Sequence, residues 1–514
     1  MHRIAIGLGA LLLSGSFLAV APQLLSQSPS EGDLETSVVN LFGNRDQDQS
    51  RPQAFRSYHE SDMWGADATF LPLNPGVAVG RLRLIQPDEI PNRRDIAVYD
   101  SLPEEVPPVA GVISSFRQRP LDHLNLRAVR DAVPNAYIAQ ATTDESIRPL
   151  IGSWVAYDVT MNGFGIREAT AEEIDAHVAH VRPIRPQVPS RDLSPKRIRR
   201  LTECRFGDAP SIGVKAANIA AMHDFGFAAE VVPNGFAIPF SCYDEFMKHN
   251  DLYDYAKHIL NNPAFRRDRD VQISELKKFR TLIKKGKMPD RMMESLAELQ
   301  RSFPVGTSIR CRSSTNNENI PGFSGAGLYD SFTHHPDEGH FSKSVKQVYA
   351  SLWNFRAFDE RELYGVDHFA SAMGVLVHPN FQSERAGGIA VTSDILHHTD
   401  DYHYVITELG EDPSQEANDA APEELLLSCR GIGKDHQIQY PGQAIRQKTL
   451  LPEASREELR QYLGTIHHKF MQLYGISPET SDFAMEIEFK ITKDGELAIK
   501  QARPWVAATI NPAR

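Results

Sequence analysis

Residues 484–504 read AMEIEFKITKDGELAIKQARP, and the reading of the whole chain turns on them. Ala484 to Ile491 and Leu497 to Gln501 have strand character, and Lys493-Asp494-Gly495 between them has the composition of a turn. Side chains two apart on a strand share a face. Glu486 and Glu488 therefore project together from an apolar strand, as do Gln501 and Arg503 from the next. A short hairpin lays the two faces side by side. Two carboxylates on one buried face repel each other unless a cation lies between them. Mg²⁺, held by carboxylates and by phosphate oxygens, is the economical cation. Taken alone, the glutamate pair also fits a half-exposed strand with its polar face in water. The convergence of four polar groups favours a site.

Two segments upstream carry matching chemistry. Residues 308–327, SIRCRSSTNNENIPGFSGAG, open as a strand that puts Arg310 and Arg312 on one face, then pass into a loop rich in glycine and hydroxyls. This composition suits a phosphate cradle. Gly213-Val214-Lys215 stands at the start of a helical pattern, where backbone N–H groups and a lysine can meet an anion. Each has an ordinary reading as well, a surface strand and a routine helix start.

The order Gly-x-Lys, Arg-Ser-Ser with Glu318-x-x-Pro321, Glu-x-Glu and Gln-x-Arg-Pro resembles the ATP-binding domain of phosphoenolpyruvate synthase and pyruvate phosphate dikinase. The glucan water dikinase branch is the nearest in resemblance, through residues 325–331 (GAGLYDS), 348–357 (VYASLWNFRA) and 440–444 (YPGQA). Leu409-Gly410-Glu411 is similar to that family's Gly-Leu-Gly-Glu loop. The resemblance runs over about 205–506 and implies an ATP-grasp-type fold binding ATP and Mg²⁺. It implies phosphate or nucleotide contacts for Lys215, Arg310, Arg312, Glu318, Glu411, Gln501 and Arg503, with Arg312 catalytic and Glu486 and Glu488 holding the metal. Asn319 stands where the family commonly has an acidic residue, and Thr407-Glu408 where it has a glycine before Leu409.

Upstream, short strand-like runs alternate with the helical spacing of Leu124 to Val133, which indicates a compact α/β domain over 71–178. Residues 74–80 (NPGVAVG) resemble the opening of the dikinases' swivelling phosphohistidine domain. Residues 122–130 (DHLNLRAVR) resemble the segment that carries its phosphorylated histidine, which makes His123 the phosphate carrier, with Arg127 in reach of the phosphate. Asp122 replaces the family's usual small hydroxyl residue. The proline-rich stretch 179–199 reads as a semi-rigid linker that lets the domain move, and 200–508 as the ATP-binding domain. The fold class expected is α/β and α+β multidomain.

Arg3 and the apolar run from Ile4 to Ala21 read as a signal peptide or membrane anchor over 1–26, followed by a polar stalk over 27–70. This implies an exported or membrane-tethered protein, or a cytoplasmic one if the segment is not a functional signal. The 514 residues carry a net charge of −12, and no basic face of the kind that nucleic-acid binders show is evident. The four cysteines form no metal or disulfide spacing and read as buried free thiols. The expected function is a dikinase that passes the β-phosphate of ATP through His123 to an acceptor hydroxyl, a small molecule or carbohydrate such as a glucan. Two other readings keep parts of this: a kinase acting on a partner protein, and an exported nucleotide- or glycan-binding protein that has lost catalysis.

Overall fold

The computed structural model describes residues 55–57 and 68–505, apart from 87–88, 90, 92–93, 102, 104–108, 119–123, 126–127, 129–131, 181–185, 319, 321–322, 324–327, 381–383, 395–400, 411–421, 430–434, 439–448, 478–479 and 481–482. The apolar segment 4–21, Asp122, His123, Arg127, Asn319 and Glu411 all lie outside the described residues. Among those described, no helix is long and apolar enough to cross a membrane. The architecture is mixed α/β, in keeping with the expected class.

The N-terminal part is built on one mixed sheet. Its strands are β1 (Phe55–Ser57), β2 (Phe70–Asn74), β3 (Gly76–Leu84), β4 (Asp95–Tyr99), β5 (Gly111–Ser114), β6 (Asn135–Ile138), β7 (Trp154–Thr160) and β8 (Gly163–Glu168), and helix α1 (Ala171–His180) follows. They lie in the order β1-β8-β7-β3-β4-β5-β6-β2. The run β3-β4-β5-β6 is parallel, and β4 and β5 are buried at every residue, as parallel strands covered on both faces are. Alternate residues supply two cores. Ile96 and Val98 join Phe70, Ile113 and Phe164 on one side, while Ala97 and Tyr99 join Val112 and the helical residues Leu124 and Ala128 on the other. A buried amide chain holds this helical turn: Asn135 Nδ2 donates to Asn125 Oδ1 at 2.8 Å, and Gln118 Nε2 donates to Asn135 Oδ1 at 3.0 Å and Ser114 Oγ at 2.7 Å.

Two boundaries differ from the sequence reading. The stalk expected over 27–70 ends in sheet: β1 pairs antiparallel with β8, and Phe70 is fully buried, because an aromatic with a place in the core is drawn into it. The linker expected over 179–199 is not free along its length. Gln187 bridges to Val366, with Gln187 N donating to Gly365 O at 2.8 Å and Asp367 N to Gln187 O at 2.9 Å, and Arg191 Nη1 donates to Phe369 O. An extended proline-rich strand leaves its backbone groups unpaired, so a neighbouring loop with complementary groups captures it.

The C-terminal part contains two antiparallel sheets. The first has the order β12-β11-β13-β10-β9, from β9 (Arg199–Arg200), β10 (Phe236–Ile238), β11 (Ile309–Thr315), β12 (Phe332–His334) and β13 (Met373–Pro379). Helices α4 (Phe240–His249), α5 (Leu252–Asn261), α6 (Pro263–Arg267), α7 (Arg269–Lys285), α8 (Asp290–Arg301), α9 (Ser342–Ser351) and α10 (Phe355–Leu363) share its aromatic core of Tyr243, Phe246, Phe279 and Trp353. The second sheet has the order β17-β16-β15-β14-β18-β19, from β14 (Ala386–Val391), β15 (Tyr402–Leu409), β16 (Glu423–Ser428), β17 (His436–Ile438), β18 (Ala484–Ile491) and β19 (Leu497–Trp505). Helix α11 (Glu453–Leu473) lays Leu459, Leu463, Ile466 and Phe470 in the core that holds Ile487, Phe489 and Ile499.

Between the sheets lies α3 (Val214–Met222), entered from the short α2 (Ala209–Ile212) through Gly213. Every residue of α3 is buried, which its small side chains permit: Ala216, Ala217, Ala220 and Ala221 let strand backbones approach on more than one side. Asn218 Nδ2 donates to Ala502 O on β19 at 3.1 Å, and Ala216 N donates to Ser314 Oγ on β11 at 3.0 Å.

Gly213 has φ +85°, and a Cβ there would lie 2.2 Å from Ser314 O. Gly213→Ala is expected to destabilise the fold by about 2–4 kcal/mol, from left-handed strain and displaced backbone. Gly207→Ala, where a Cβ meets nothing, serves as the control in thermal or urea unfolding. Burial lowers His378 on β13 to about 3, aided by the nearby Arg312 charge, and lowers His403 on β15 to about 4. Both are neutral in the fold and titrate near 6.5 once unfolded. Their contribution to stability is present in full above about pH 6.5 and is lost as pH falls from there toward 4 and 3. Unfolding free energies from pH 7.5 to 4.5 should decline, and His403→Gln should flatten that decline; an unchanged slope counts against the assignment.

Candidate nucleotide and phosphate site

The site forms where β11, α3 and the β18–β19 hairpin meet. The hairpin register places Glu486 directly opposite Arg503 and Glu488 directly opposite Gln501. Glu486 Oε1 accepts from Arg503 Nε at 3.0 Å and also from its Nη2. From β11, Arg312 Nη1 reaches across to Glu488 Oε2 at 3.1 Å and Gln501 Oε1 at 3.2 Å. Arg312 Nε donates to His378 Nε2 at 3.2 Å, so the ring proton sits on Nδ1, which donates to Pro379 O at 2.7 Å. Arg310 shares this face of β11, as its spacing from Arg312 requires, and its Nη1 donates to Thr333 Oγ1 at 2.9 Å.

Lys215 is buried in the first turn of α3, with Nζ 3.0 Å from Glu318 Oε1 and 3.4 Å from Ser313 Oγ. Glu318 also accepts from Thr315 N and Oγ1. At the helix start anticipated at Gly213-Val214-Lys215, Ser314 Oγ takes the Ala216 amide, because Gly213 brings α3 into contact with β11.

The electrostatics are those of a cluster of cations with embedded carboxylates. Burial raises the Glu488 carboxyl, but Arg312, Lys500 and Arg503 outweigh it and hold the group at about 2. Burial works against the Arg503 charge, and Glu486, Glu488 and Glu318 more than restore it. Lys490 falls to about 7, through burial and then the charge of Lys500. Lys500 falls to about 8, chiefly through burial, with Glu488 acting to raise it.

The premise that Glu486 and Glu488 need a cation between them is corrected by this geometry, because Arg503 on the paired strand β19 and Arg312 on β11 of the other sheet give each carboxylate its own arginine. The residues nonetheless suit Mg²⁺ with a polyphosphate. Glu486 uses Oε1 and Glu488 uses Oε2 in these bonds, which leaves the second oxygen of each for a cation. Among the described residues no cluster of three His, Cys, Asp or Glu could hold a metal, so phosphate oxygens and water would complete the shell, as is usual for Mg²⁺. Glu318 Oε2 is buried without a hydrogen-bond partner among the described residues, an acceptor that a bound group would satisfy.

Of the residues singled out in the sequence, Arg310, Arg312, Glu486, Glu488, Gln501 and Arg503 come together, Lys215 and Glu318 stand beside them as an ion pair, and Glu411 and His123 lie outside the described residues. His378, Lys490 and Lys500 are additional. Lys490 continues the alternation of Glu486 and Glu488 and was open to the same argument. His378 reaches the site only through its register with Arg310, which no local pattern announces. Arg503→Met would strand Glu486, whose side chain is 8% exposed, and is expected to cost about 3 kcal/mol. The double variant with Glu486→Met should recover most of that loss in urea unfolding, and independent, additive effects would show that the pair is not coupled.

The family described as pyruvate phosphate dikinase, AMP/ATP-binding domain, matches residues 209–510. A probable phosphoenolpyruvate synthase of Methanocaldococcus jannaschii is 28% identical over 206 residues, 39% of this chain and 17% of that protein. A phosphoenolpyruvate synthase of Aeropyrum pernix is 28% identical over 190 residues, 36% of this chain and 22% of that protein. An uncharacterized phosphotransferase of Bacillus subtilis is 24% identical over 305 residues, 57% of this chain and 33% of that protein. The matched part of the chain thus spans between a sixth and a third of these relatives' lengths. With three sheet strands and a buried helix carrying one converging set of cations and carboxylates, and a family match across 209–510, the chain belongs to the phosphoenolpyruvate synthase and pyruvate phosphate dikinase superfamily through its AMP/ATP-binding domain.

Proposed function

We propose that the chain is an ATP-dependent phosphotransferase of the dikinase type, with an ATP-grasp-type domain over 200–508 and a swivelling phosphohistidine-type domain over 71–178. The observation that carries this reading is the joining of Arg312, Glu488 and Gln501 from two different sheets into one hydrogen-bonded set, with Arg503 and Glu486 beside it. Such a set has little structural purpose, since apolar residues would hold the seam at lower desolvation cost. It has a clear chemical purpose in phosphoryl transfer, where catalysis is positioning and neutralisation of charge.

In this reading Arg310, Arg312 and Arg503 hold the phosphates and Lys215 adds a charge from α3. Gln501 orients Arg312, and Glu486 and Glu488 supply metal-facing oxygens. Glu486 and Glu488 would hold Mg²⁺, which when bound would supply neutralisation of phosphate charge. The imidazole of His123 takes the β-phosphate as AMP leaves, water takes the γ-phosphate as inorganic phosphate, and the phosphohistidine then donates its phosphoryl group to an acceptor hydroxyl. A glucan or other carbohydrate is the acceptor proposed, by likeness to the glucan water dikinase branch. Export or membrane tethering through residues 4–21 belongs to the same proposal.

The test is autophosphorylation of the purified chain with ATP labelled separately at the β and γ positions, alongside His123→Ala. Acid-labile β-label on the wild type that is absent from the variant is the expected result. No protein-bound label, with ATP binding intact, would sink the phosphohistidine step.

A further inference from the structure

The acidic balance of the whole chain hides one local exception. Residues 277–287 (KKFRTLIKKGK) hold six basic side chains and no acidic one, in a protein of net charge −12. They form the second half of α7 and the turn after it. Helical geometry, at about 100° per residue, sorts them into two flanks. Leu276, Phe279 and Ile283 are buried in the core. Lys277, Lys284 and Lys285 are exposed and fall within about 100° of arc on the opposite flank. Lys287 is exposed just beyond the helix, and Leu282, 40% exposed, borders the lysine flank.

These basic side chains divide by partner. Lys278 is paired with Glu275, and Arg280 with Asp330. Lys277, Lys284, Lys285 and Lys287 have no side-chain partner among the described residues. Lysines in a last turn complement the helix dipole, which accounts for Lys284 and Lys285. It does not account for Lys277, two turns earlier, or for Lys287, outside the helix. The Gly286 carbonyl at this end is already served by Lys346 Nζ at 3.1 Å. Lys277 and Lys285 are separated by about 12 Å of helix, roughly one and a half Debye lengths at physiological salt, so their fields overlap in front of one flank.

The composition of the flank favours one class of polyanion. From Lys277 onward, the exposed side chains of α7 are Lys277, Lys278, Thr281, Leu282, Lys284 and Lys285, with no guanidinium or aromatic ring among them. Recognition of nucleic acids and of acidic protein motifs draws on arginine forks and aromatic stacking. Attraction to a layer of lipid phosphates needs only clustered point charges, with an apolar residue at the margin. A net acidic chain is otherwise repelled by such a layer, so a single lysine flank would also orient it.

We propose that this flank of α7 docks on the surface of an anionic phospholipid bilayer, through Lys277, Lys284, Lys285 and Lys287 with Leu282 at the margin. The apolar side of α7 stays in the protein core, so the contact is electrostatic and superficial and involves no inserted helix. It is separate from a tether through residues 4–21 and makes no use of the nucleotide site.

Co-sedimentation of the full chain with vesicles tests this, using phosphatidylcholine alone and phosphatidylcholine mixed with phosphatidylglycerol in equal parts, at low and at high salt. The variants are Lys277→Gln/Lys284→Gln/Lys285→Gln/Lys287→Gln and the matching quadruple arginine variant. At low salt the wild type should bind the mixed vesicles at least about tenfold more tightly than the neutral ones. High salt and the glutamine variant should remove that preference, and the arginine variant should keep it. An apolar tether through residues 4–21 raises binding to both vesicles alike and leaves the ratio unchanged. Equal binding of the wild type to both vesicles, or a preference retained in the glutamine variant, overturns the docking face. A double-stranded oligonucleotide is titrated alongside: lysine-dependent binding to it, without preference for the anionic vesicles, assigns the flank to nucleic acid and overturns the lipid surface. The four lysines are exposed, so both variants should melt with the wild type; if the glutamine variant melts early, the single variant Lys277→Glu must lower the preference, and an unchanged ratio there overturns the proposal.

Discussion

The guanidinium of Arg312 is the interaction on which the site depends. It springs from β11 in one sheet, lies against His378 on the neighbouring β13, and ends on Glu488 and Gln501 in the other sheet. An arginine can do this because its donors fan out in a rigid plane, so one side chain satisfies three acceptors in different directions. His378 completes the arrangement by staying neutral. A charged imidazole there would oppose Arg312; burial keeps the ring neutral, and the Pro379 carbonyl holds the Nδ1 proton so that Nε2 accepts.

Helix α3 sets the distance over which that reach works. Its alanines allow β11 and β19 to approach the same short helix, and Gly213 removes the one side chain that would push Ser314 away. Were the helix bulkier, Arg312 and Glu488 would separate and each would sit half-buried without its partner. Packing and electrostatics are thus one constraint, and the ion pair of Lys215 with Glu318 is carried in by the same contact. Arg312 and Arg503 are held in pairs with Glu488 and Glu486, so in the proposed reading an arriving polyphosphate would meet donors already oriented and exchange partners with the carboxylates at low reorganisation cost.

The proposed transfer through His123 would draw on the N-terminal sheet and the connecting segment. The helical turn of Leu124, Asn125 and Ala128 is fastened by the amide chain through Asn135 and Gln118, so the backbone just after His123 is tied to the sheet. The connecting segment is held by the C-terminal part from Gln187 onward, which shortens the stretch available for movement compared with the full run of prolines.

By itself the sequence determined the local elements and the paired chemistry. Alternation in residues 484–504 placed Glu486 with Glu488 and Gln501 with Arg503, Arg310 and Arg312 were placed on one face, and the order of motifs identified the superfamily, because these depend on spacing along a single strand or hairpin. Only the tertiary structure decided which cation answers which carboxylate, that Ser314 takes the Ala216 amide at the helix start, that His378 joins the site, and that Phe70 and Gln187 belong to packed structure and not to a stalk and a free linker. The bulge that leaves Lys500 without a register partner belongs with these. Each depends on register or on close approach between segments far apart in the chain, and a periodic pattern within one segment carries no record of what another segment brings to meet it.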